Sequence, residues 1–185
     1  MKIWAILLSL VMMLSGCDAD SEIERGMALR SLLLQSEKCT LDAHVMADYG
    51  EYSFSFKTKC SMDKNGIVRF EIIEPDSICG ICGQVSANQG EILFGDTAVY
   101  FPLLSQAQIS PVTGPWMVLN TLKSGYLRAA CREGDQVRLT MDDLFFEQTY
   151  QIDIWLDTDN IPVYSEILSN GSRILAIEIE NMVFL

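Results

Sequence analysis

The chain has 185 residues, 49% of them hydrophobic, and its 25 acidic and 13 basic side chains give a formal net charge of −12. The length is that of one domain, and the hydrophobic fraction is too high for a disordered chain. The acidic excess argues against a nucleic-acid-binding protein, because a phosphate backbone requires a positively charged surface.

The first seventeen residues have the pattern of an export signal. Lys2 precedes an apolar run over residues 3–14, which as a helix would be about 18 Å long and too short for a bilayer core of about 30 Å. We therefore assign residues 1–16 to a signal peptide. The alternative is an ordinary export signal that ends in a chance cysteine.

The end of this segment, Leu14-Ser15-Gly16-Cys17, resembles the bacterial lipobox. The resemblance implies cleavage before Cys17 and acylation of its thiol, as by palmitate. The protein would then be anchored to the exocytoplasmic face of the cell membrane. All 25 acidic residues and all basic residues except Lys2 lie beyond Cys17, so the acyl chains, not charge, must hold this acidic domain to a membrane.

A short helix is expected after the lipidated cysteine. Residues 17–21 form the lipidated N-terminus and a tether, and Ser21-Glu22-Ile23-Glu24 has the pattern of a capping box. A helix is predicted from there to about Ser36. Its apolar positions, at near-helical spacing, are Ile23, Met27, Ala28, Leu32 and Leu34.

Beyond Lys38 the apolar period changes to two, which indicates strands. Residues 41–47 and 52–56 alternate and predict a hairpin that turns at Tyr49-Gly50. Asn65-Gly66 predicts a second turn, and short strands follow it to about residue 101.

A second helix is expected in the middle of the chain. Ser110-Pro111 is typical of a helix entry, and Gly125 of a stop. The apolar stripe of this helix is Trp116, Leu119, Leu122 and Tyr126. Strands return from Gln136 to the C-terminus, so two helices and eight to eleven antiparallel strands predict one α+β domain.

This layout resembles the LolA/LolB-like superfamily over residues 22–185. The segments that carry the likeness are residues 70–75, 153–157, 161–167 and 177–184. The resemblance implies a curved antiparallel sheet, an incomplete barrel, with two helices across its concave face. It also implies a non-enzymatic, membrane-anchored protein of the cell envelope that binds a protein partner and needs no cofactor.

Within the superfamily, a lipobox-bearing chain of this size is similar to the clostridial germination lipoproteins, the GerS-like group. That likeness implies a cell-wall (spore cortex) hydrolase as the partner. The alternative is a carrier or sensor of lipid or acyl chains, held in an apolar cavity on the concave face. Candidate lining residues for that cavity are Phe54, Phe56, Ile72, Trp116 and Leu119.

Five cysteines remain once Cys17 is set aside. A two-residue turn at Tyr49-Gly50 would place Cys39 opposite Cys60 in a non-hydrogen-bonded pair, within reach of a disulfide. The alternative is two thiols packed as small apolar groups.

Cys79-Gly80-Ile81-Cys82 is a CxxC motif and a candidate thiol pair. A thioredoxin-type site needs this motif at a helix N-terminus, whereas its flanks here predict a strand and a turn. No second CxxC completes a zinc site. Structural thiols are therefore the expected state, and thiol oxidoreductase activity is the minority alternative.

His44 is the only histidine, so any histidine-based triad must use it. Its place in an alternating strand predicts a half-exposed residue and no catalytic role. Acidic pairs such as Asp142-Asp143 are expected on the solvated surface. The sequence therefore predicts no nucleophile–base set and no metal site.

Overall fold

The computed structural model describes residues 18–185 except 51, 88, 95–96, 102–103, 106–107 and 146. The helices are α1 (Asp18–Gln35), a 3-10 turn (Pro111–Thr113) and α2 (Gly114–Ser124). The strands are β1 (Lys38–Asp48), β2 (Ser53–Asp63), β3 (Val68–Glu74), β4 (Cys82–Val85), β5 (Gly90–Phe94), β6 (Thr97–Phe101), β7 (Leu104–Ser105), β8 (Gln108–Ile109), β9 (Tyr126–Glu133), β10 (Gln136–Phe145), β11 (Gln148–Leu156), β12 (Pro162–Ser169) and β13 (Ser172–Phe184). Within the described residues, no helix is long and apolar enough to span a membrane.

Eleven strands form one antiparallel sheet in the order β6-β5-β4-β3-β2-β1-β13-β12-β11-β10-β9, and β7 and β8 form a separate pair. Strands β1 to β6 and β9 to β13 are two meanders, in which each strand pairs with the next along the chain. They meet where β1 pairs with β13. The sheet is open because its outer strands, β6 and β9, do not pair with each other. The predicted α+β class, an open antiparallel sheet with two helices, is confirmed.

One face of the sheet carries the core because the strands bury every second residue, as a period of two requires. In β1 the buried side chains are Cys39, Leu41, Ala43, Val45 and Ala47. In β11 they include Tyr150, Ile152, Ile154 and Leu156. We call this the inner face, and the opposite, partly solvated face the outer face.

Helix α2 packs on the inner face and is buried on nearly all sides. Trp116, Met117 and Leu119 are at most 3% exposed. The predicted entry at Ser110-Pro111 is a 3-10 turn that leads into the helix. The assignment of Tyr126 to the helix stripe is wrong: it begins β9, a strand that the sequence analysis did not predict, and is 71% exposed.

Helix α1 begins at Asp18, three residues before the predicted cap, so Ser21 lies inside the helix and the capping box is wrong. The predicted apolar face is wrong as well. Leu29 and Leu33 face the core, whereas the predicted positions point outward and are exposed. Those exposed residues are Ile23, Met27, Ala28, Leu32 and Leu34.

A buried carboxylate fixes the first turns of α1. Glu22 is only 3% exposed, and its carboxylate accepts hydrogen bonds from Arg132 Nε at 3.2 Å and Nη2 at 3.0 Å. Arg25 Nη1 lies 3.4 Å from the same carboxylate, and Arg25 Nη2 donates to the Asp157 carbonyl at 2.8 Å. Arg25 also donates to the side chain of Asn160. The helix is thereby bound to β9 and to the β11–β12 turn.

The filled core gives a stability prediction. We expect Leu119→Ala to lower the free energy of unfolding by about 2–5 kcal/mol, because the side chain is fully buried and α2 cannot collapse into the space left behind. Urea unfolding would measure it. Leu144→Ala is the matched control, since Leu144 is 66% exposed and should change stability by less than about 0.5 kcal/mol. Equal effects at the two positions would contradict this account of the core.

Candidate functional site

The space between α2 and the sheet is filled by side chains. Residues from α2 (Val118, Leu119 and Leu122) meet residues from β13 (Ile177 and Ile179) across it. The gap that they line is too small to hold a water molecule. Among the described residues, this gap offers no preformed room for an acyl chain.

The five residues proposed to line an apolar cavity lie in two different environments. Phe56, Ile72, Trp116 and Leu119 are at most 6% exposed and belong to the core. Trp116, for example, packs edge-on against Phe145 with ring centroids 5.3 Å apart. Phe54 lies near the end of the sheet and is 50% exposed. These residues therefore contribute packing, and the arrangement does not support a carrier.

Cys39 and Cys60 are not opposite each other. The β1–β2 hairpin pairs Asp48 with Ser53, so the turn lies one residue later than predicted. Cys39 is consequently opposite Met62, and Leu41 is opposite Cys60. The register on which the predicted disulfide rested is wrong, and both thiols are free in the structure.

Burial makes these two thiols unreactive. It raises the pKa of Cys39 to about 12. Burial likewise raises the pKa of Cys60 to about 12, although a hydrogen bond with the Thr58 hydroxyl acts in the opposite direction. Only thiolates are good nucleophiles, so both cysteines behave as small apolar groups near neutral pH.

The CxxC motif lies in a turn, as its flanking residues predicted. Cys79 is exposed between β3 and β4, and Cys82 is the half-buried first residue of β4. The turn is held by Gly80 N–H and Ile72 N–H, which donate to the carbonyls of Ile72 and Ile81, both at 2.8 Å. No helix N-terminus is present to stabilise a thiolate, so the geometry of a thioredoxin-type site is missing.

Metal binding also lacks support. Among the residues that the structure describes, no three His, Cys, Asp or Glu side chains come together as a metal-binding group. Cys131, on β9, contacts charged groups instead: its sulfur lies 3.7 Å from Arg138 Nη2 and 3.9 Å from the Glu133 carboxylate.

The outer face carries an arrangement that the sequence analysis missed. His44 Nδ1 lies 2.9 Å from Glu178 Oε2, and His44 Nε2 lies 2.8 Å from Ser55 Oγ. A carboxylate can only accept, so the neutral tautomer that satisfies both bonds donates from Nδ1 to Glu178 and accepts the Ser55 hydroxyl proton at Nε2. The predicted half-exposed strand position of His44 is confirmed, and the sequence analysis did not foresee that its ring nitrogens contact Ser55 and Glu178.

The register explains why these three side chains meet. Glu178 on β13 is directly opposite His44. On the other side, His44 is opposite Lys57 of β2, and Ser55 lies two residues before Lys57 on the same face. The alternation of β1 and β2 in the sequence places His44 and Ser55 on the same face of a hairpin, so their proximity could have been predicted. Glu178 is 134 residues from His44, and no local pattern reports that pairing.

Two grooves flank Ser55 on the outer face. One has a volume of about 500 Å³ and includes Met46, Tyr164, Ile174 and Ala176 in its lining. The other has a volume of about 410 Å³ and lies beside Lys57 and Glu74. Ser55 lines both grooves. Ser55 is exposed and lies at the border between the two grooves.

A third groove, of about 600 Å³, crosses the outer face farther toward β5. Its lining includes Asp42, Lys59, Arg69, Glu71 and Cys82. Asp42 accepts a hydrogen bond from the Asn181 amide at 2.9 Å. The charges in this groove are mixed, so it favours no single class of anion or cation.

Comparison with known proteins gives structural likeness only. No protein-family model and no curated protein matches the sequence. The LolA superfamily protein NE2245 from Nitrosomonas europaea is 8% identical, with a TM-score of 0.46 over 86% of this chain and 93% of that chain. Lipoprotein LppX from Mycobacterium tuberculosis is 9% identical, with a TM-score of 0.42 over 88% and 93%.

A third similar chain belongs to the structure of the CwlD amidase from Clostridioides difficile in complex with the GerS lipoprotein. It is 12% identical, with a TM-score of 0.39 over 89% of this chain and 92% of that chain. Similarities at this level do not establish a family or a function.

The thiol environments predict an order of chemical modification. With iodoacetamide at pH 8 we expect Cys79 to be alkylated in the folded protein, because it is exposed, while Cys39 and Cys60 stay protected until guanidinium unfolds the chain. Peptide mapping by mass spectrometry would read each site. Equal rates at all three cysteines would contradict the burial argument. A Cys39–Cys60 peptide that resists alkylation after unfolding would instead show the disulfide.

Proposed function

We propose that this chain is a lipid-anchored protein of the cell envelope whose β-rich domain binds a protein partner. The lipobox at Cys17 supports the anchor, and Cys17 lies outside the residues that the structure describes. Residues 18–35 form α1 in the described part of the chain, which places the domain within a few residues of the proposed anchor in sequence.

The observation that carries the binding role is the exposed outer strand β6. It pairs only with β5 among the described strands, and it contains no charged residue. Val99 and Tyr100 are 47% and 63% exposed. Soluble proteins usually protect such an edge with charges, proline or a covering element, because its free N–H and C=O groups can pair with another chain. A partner strand added to β6 would satisfy those groups.

The partner that we propose is a cell-wall hydrolase, and this assignment comes from the GerS-like resemblance of the sequence. The filled space under α2 favours this binding role over a carrier of acyl chains. The position of Cys79 in a turn and of Cys82 at the start of β4 likewise offers no support for thiol redox catalysis. We propose that the primary role needs no cofactor and no catalysis.

Anchoring is tested by Cys17→Ser. We expect this variant to leave the membrane fraction and to lose incorporation of labelled palmitate, because stable anchoring requires acyl chains and no described helix can replace them. Fractionation with detergent phase separation would measure it. Cys79→Ser is the control, and it should remain at the membrane. A variant at residue 17 that stays membrane-bound would contradict acyl anchoring.

Partner binding through β6 is tested by Val99→Glu. A charge on this edge should abolish crosslinked capture of a cell-wall hydrolase from membranes, because charged side chains on an edge strand disfavour the addition of another strand. Leu144→Glu is the matched control, since Leu144 is also exposed but lies on β10, far along the sheet from β6. Capture that survives Val99→Glu, or that fails equally in both variants, would contradict binding at β6.

A further inference from the structure

We propose that Ser55, His44 and Glu178 form a nucleophilic triad that hydrolyses activated carboxylic esters, an activity beyond the partner binding proposed above. The two contacts, 2.8 Å from Ser55 Oγ to His44 Nε2 and 2.9 Å from His44 Nδ1 to Glu178 Oε2, join a nucleophile, a base and an orienting acid in that order. Within the described residues, His44 is the only hydrogen-bond partner of the Ser55 hydroxyl and of the Glu178 carboxylate.

The backbone supplies a donor for the oxyanion. Tyr49 N–H donates to the Tyr52 carbonyl at 2.9 Å, which marks a hydrogen-bonded pair in the β1–β2 ladder. Pairs alternate along an antiparallel ladder, so Ser55 and Met46 form a non-hydrogen-bonded pair. The N–H of Ser55 therefore points away from β1, toward the side of β3.

Strand β3 has already ended on that side. Its last pair with β2 is between Glu74 and Lys57, two residues beyond Ser55. The Ser55 N–H therefore faces the groove of about 410 Å³ and is placed to donate to an oxygen there. The Lys57 ammonium lines the same groove but pairs with Glu74 at 3.1 Å, and Asp76 lines the groove as well, so the Ser55 N–H is the donor that we assign to the oxyanion.

The groove on the other side of Ser55 selects the acyl group. Met46, Ile174 and Ala176 give its lining an apolar part, and its volume is about 500 Å³. Tyr164 and Arg173 also line it. An ester with a short aliphatic acyl chain fits this chemistry, with the chain on the apolar residues and the carbonyl carbon at Ser55.

The reaction balances with water as the only co-reactant. Ser55 Oγ attacks the ester carbonyl carbon as its proton moves to His44 Nε2, and Glu178 stabilises the resulting imidazolium. The bond to the leaving oxygen then breaks, and that oxygen takes the proton from Nε2. Water next attacks the acyl-serine, gives a proton to Nε2, and releases the carboxylic acid; Ser55 Oγ recovers its proton.

The exposure of the site sets its substrate range. His44 and Glu178 side chains are 31% and 53% exposed, so solvent weakens the electrostatic stabilisation of the transition state. Activated esters, whose leaving groups need little protonation, are therefore the expected substrates. Peptide amides are not, because their leaving amines depend on full acid catalysis and a closed oxyanion site.

The test uses the full chain in detergent with two probes, a fluorophosphonate and p-nitrophenyl butyrate. The fluorophosphonate should phosphonylate Ser55 with loss of fluoride, and mass spectrometry of the peptide would place the adduct. We expect Ser55→Ala to lose labelling and ester hydrolysis. His44→Gln should slow both by about 100-fold or more, the usual contribution of a positioned general base.

Glu178→Gln should give a smaller loss, about tenfold, because the carboxylate is half exposed and screened by solvent. Ser61→Ala is the matched control: it removes a hydroxyl from the same strand and the same face, opposite Thr40 and away from His44. It should keep wild-type rates. Circular dichroism would confirm that all variants fold.

The triad is disproved if wild-type protein is not labelled at Ser55, or if Ser55→Ala or His44→Gln is labelled and turns over ester at the wild-type rate. The three residues would then be cross-strand hydrogen bonds only. Capture of the hydrolase partner should be unchanged in Ser55→Ala, because β6 lies at the edge of the sheet. Failure of the triad and failure of the partner proposal are therefore separate results.

Discussion

The pairing of β1 with β13 joins the two meanders into one sheet. Cys39 lies opposite Phe184 at one end of this ladder, and Ala47 lies opposite Leu175 at the other. The ladder is extended by hydrogen bonds in both directions between the backbones of Lys38 and Leu185. Without the pairing of β1 with β13, each meander would have a separate apolar face. The pairing forms one continuous inner face on which α2 is buried. It also brings Glu178 beside His44 on the outer face.

Much of the fold was predictable because it is encoded in local periodicity. The period of two reports burial of alternate residues, and it is confirmed from Cys39 to Ala47 in β1 and from Phe56 to Met62 in β2. The turn between β12 and β13 is also encoded locally: Asn170 and Gly171 both have positive φ, 50° and 78°, as a type I′ turn requires. Helix α1 was predicted less well, because Leu29 and Leu33 are outnumbered by apolar residues that the fold leaves exposed. Its packed face is set by β9 and by α2, not by its own composition.

The candidate site was less predictable because it depends on register and on packing. The turn lies one residue later than predicted, so Cys39 pairs with Met62 instead of Cys60. The argument for a disulfide depended on the predicted register and is lost. The inner-face position of Phe56, Ile72, Trp116 and Leu119 follows from alternation and helical spacing, but whether they enclose space or fill it depends on every side chain opposite them. The CxxC motif was predictable because Pro75 and the nearby glycines determine a local turn. His44 with Ser55 was within reach of local reasoning, whereas Glu178 was not.

The bonds that fix the start of α1 have a mechanical consequence. A force applied at the N-terminal end of α1 reaches Glu22 and Arg25 within about two turns of Asp18, the first residue that the structure describes. Glu22 is held by Arg132 from β9, and Arg25 by the Asp157 carbonyl of the β11–β12 turn, so the load passes to two separate parts of the second meander. Separating the buried Glu22 carboxylate from its guanidinium partners would leave its charge unpaired, which opposes the separation. Within the described residues, a force applied along α1 is therefore shared between β9 and the β11–β12 turn and is not borne by the helix alone.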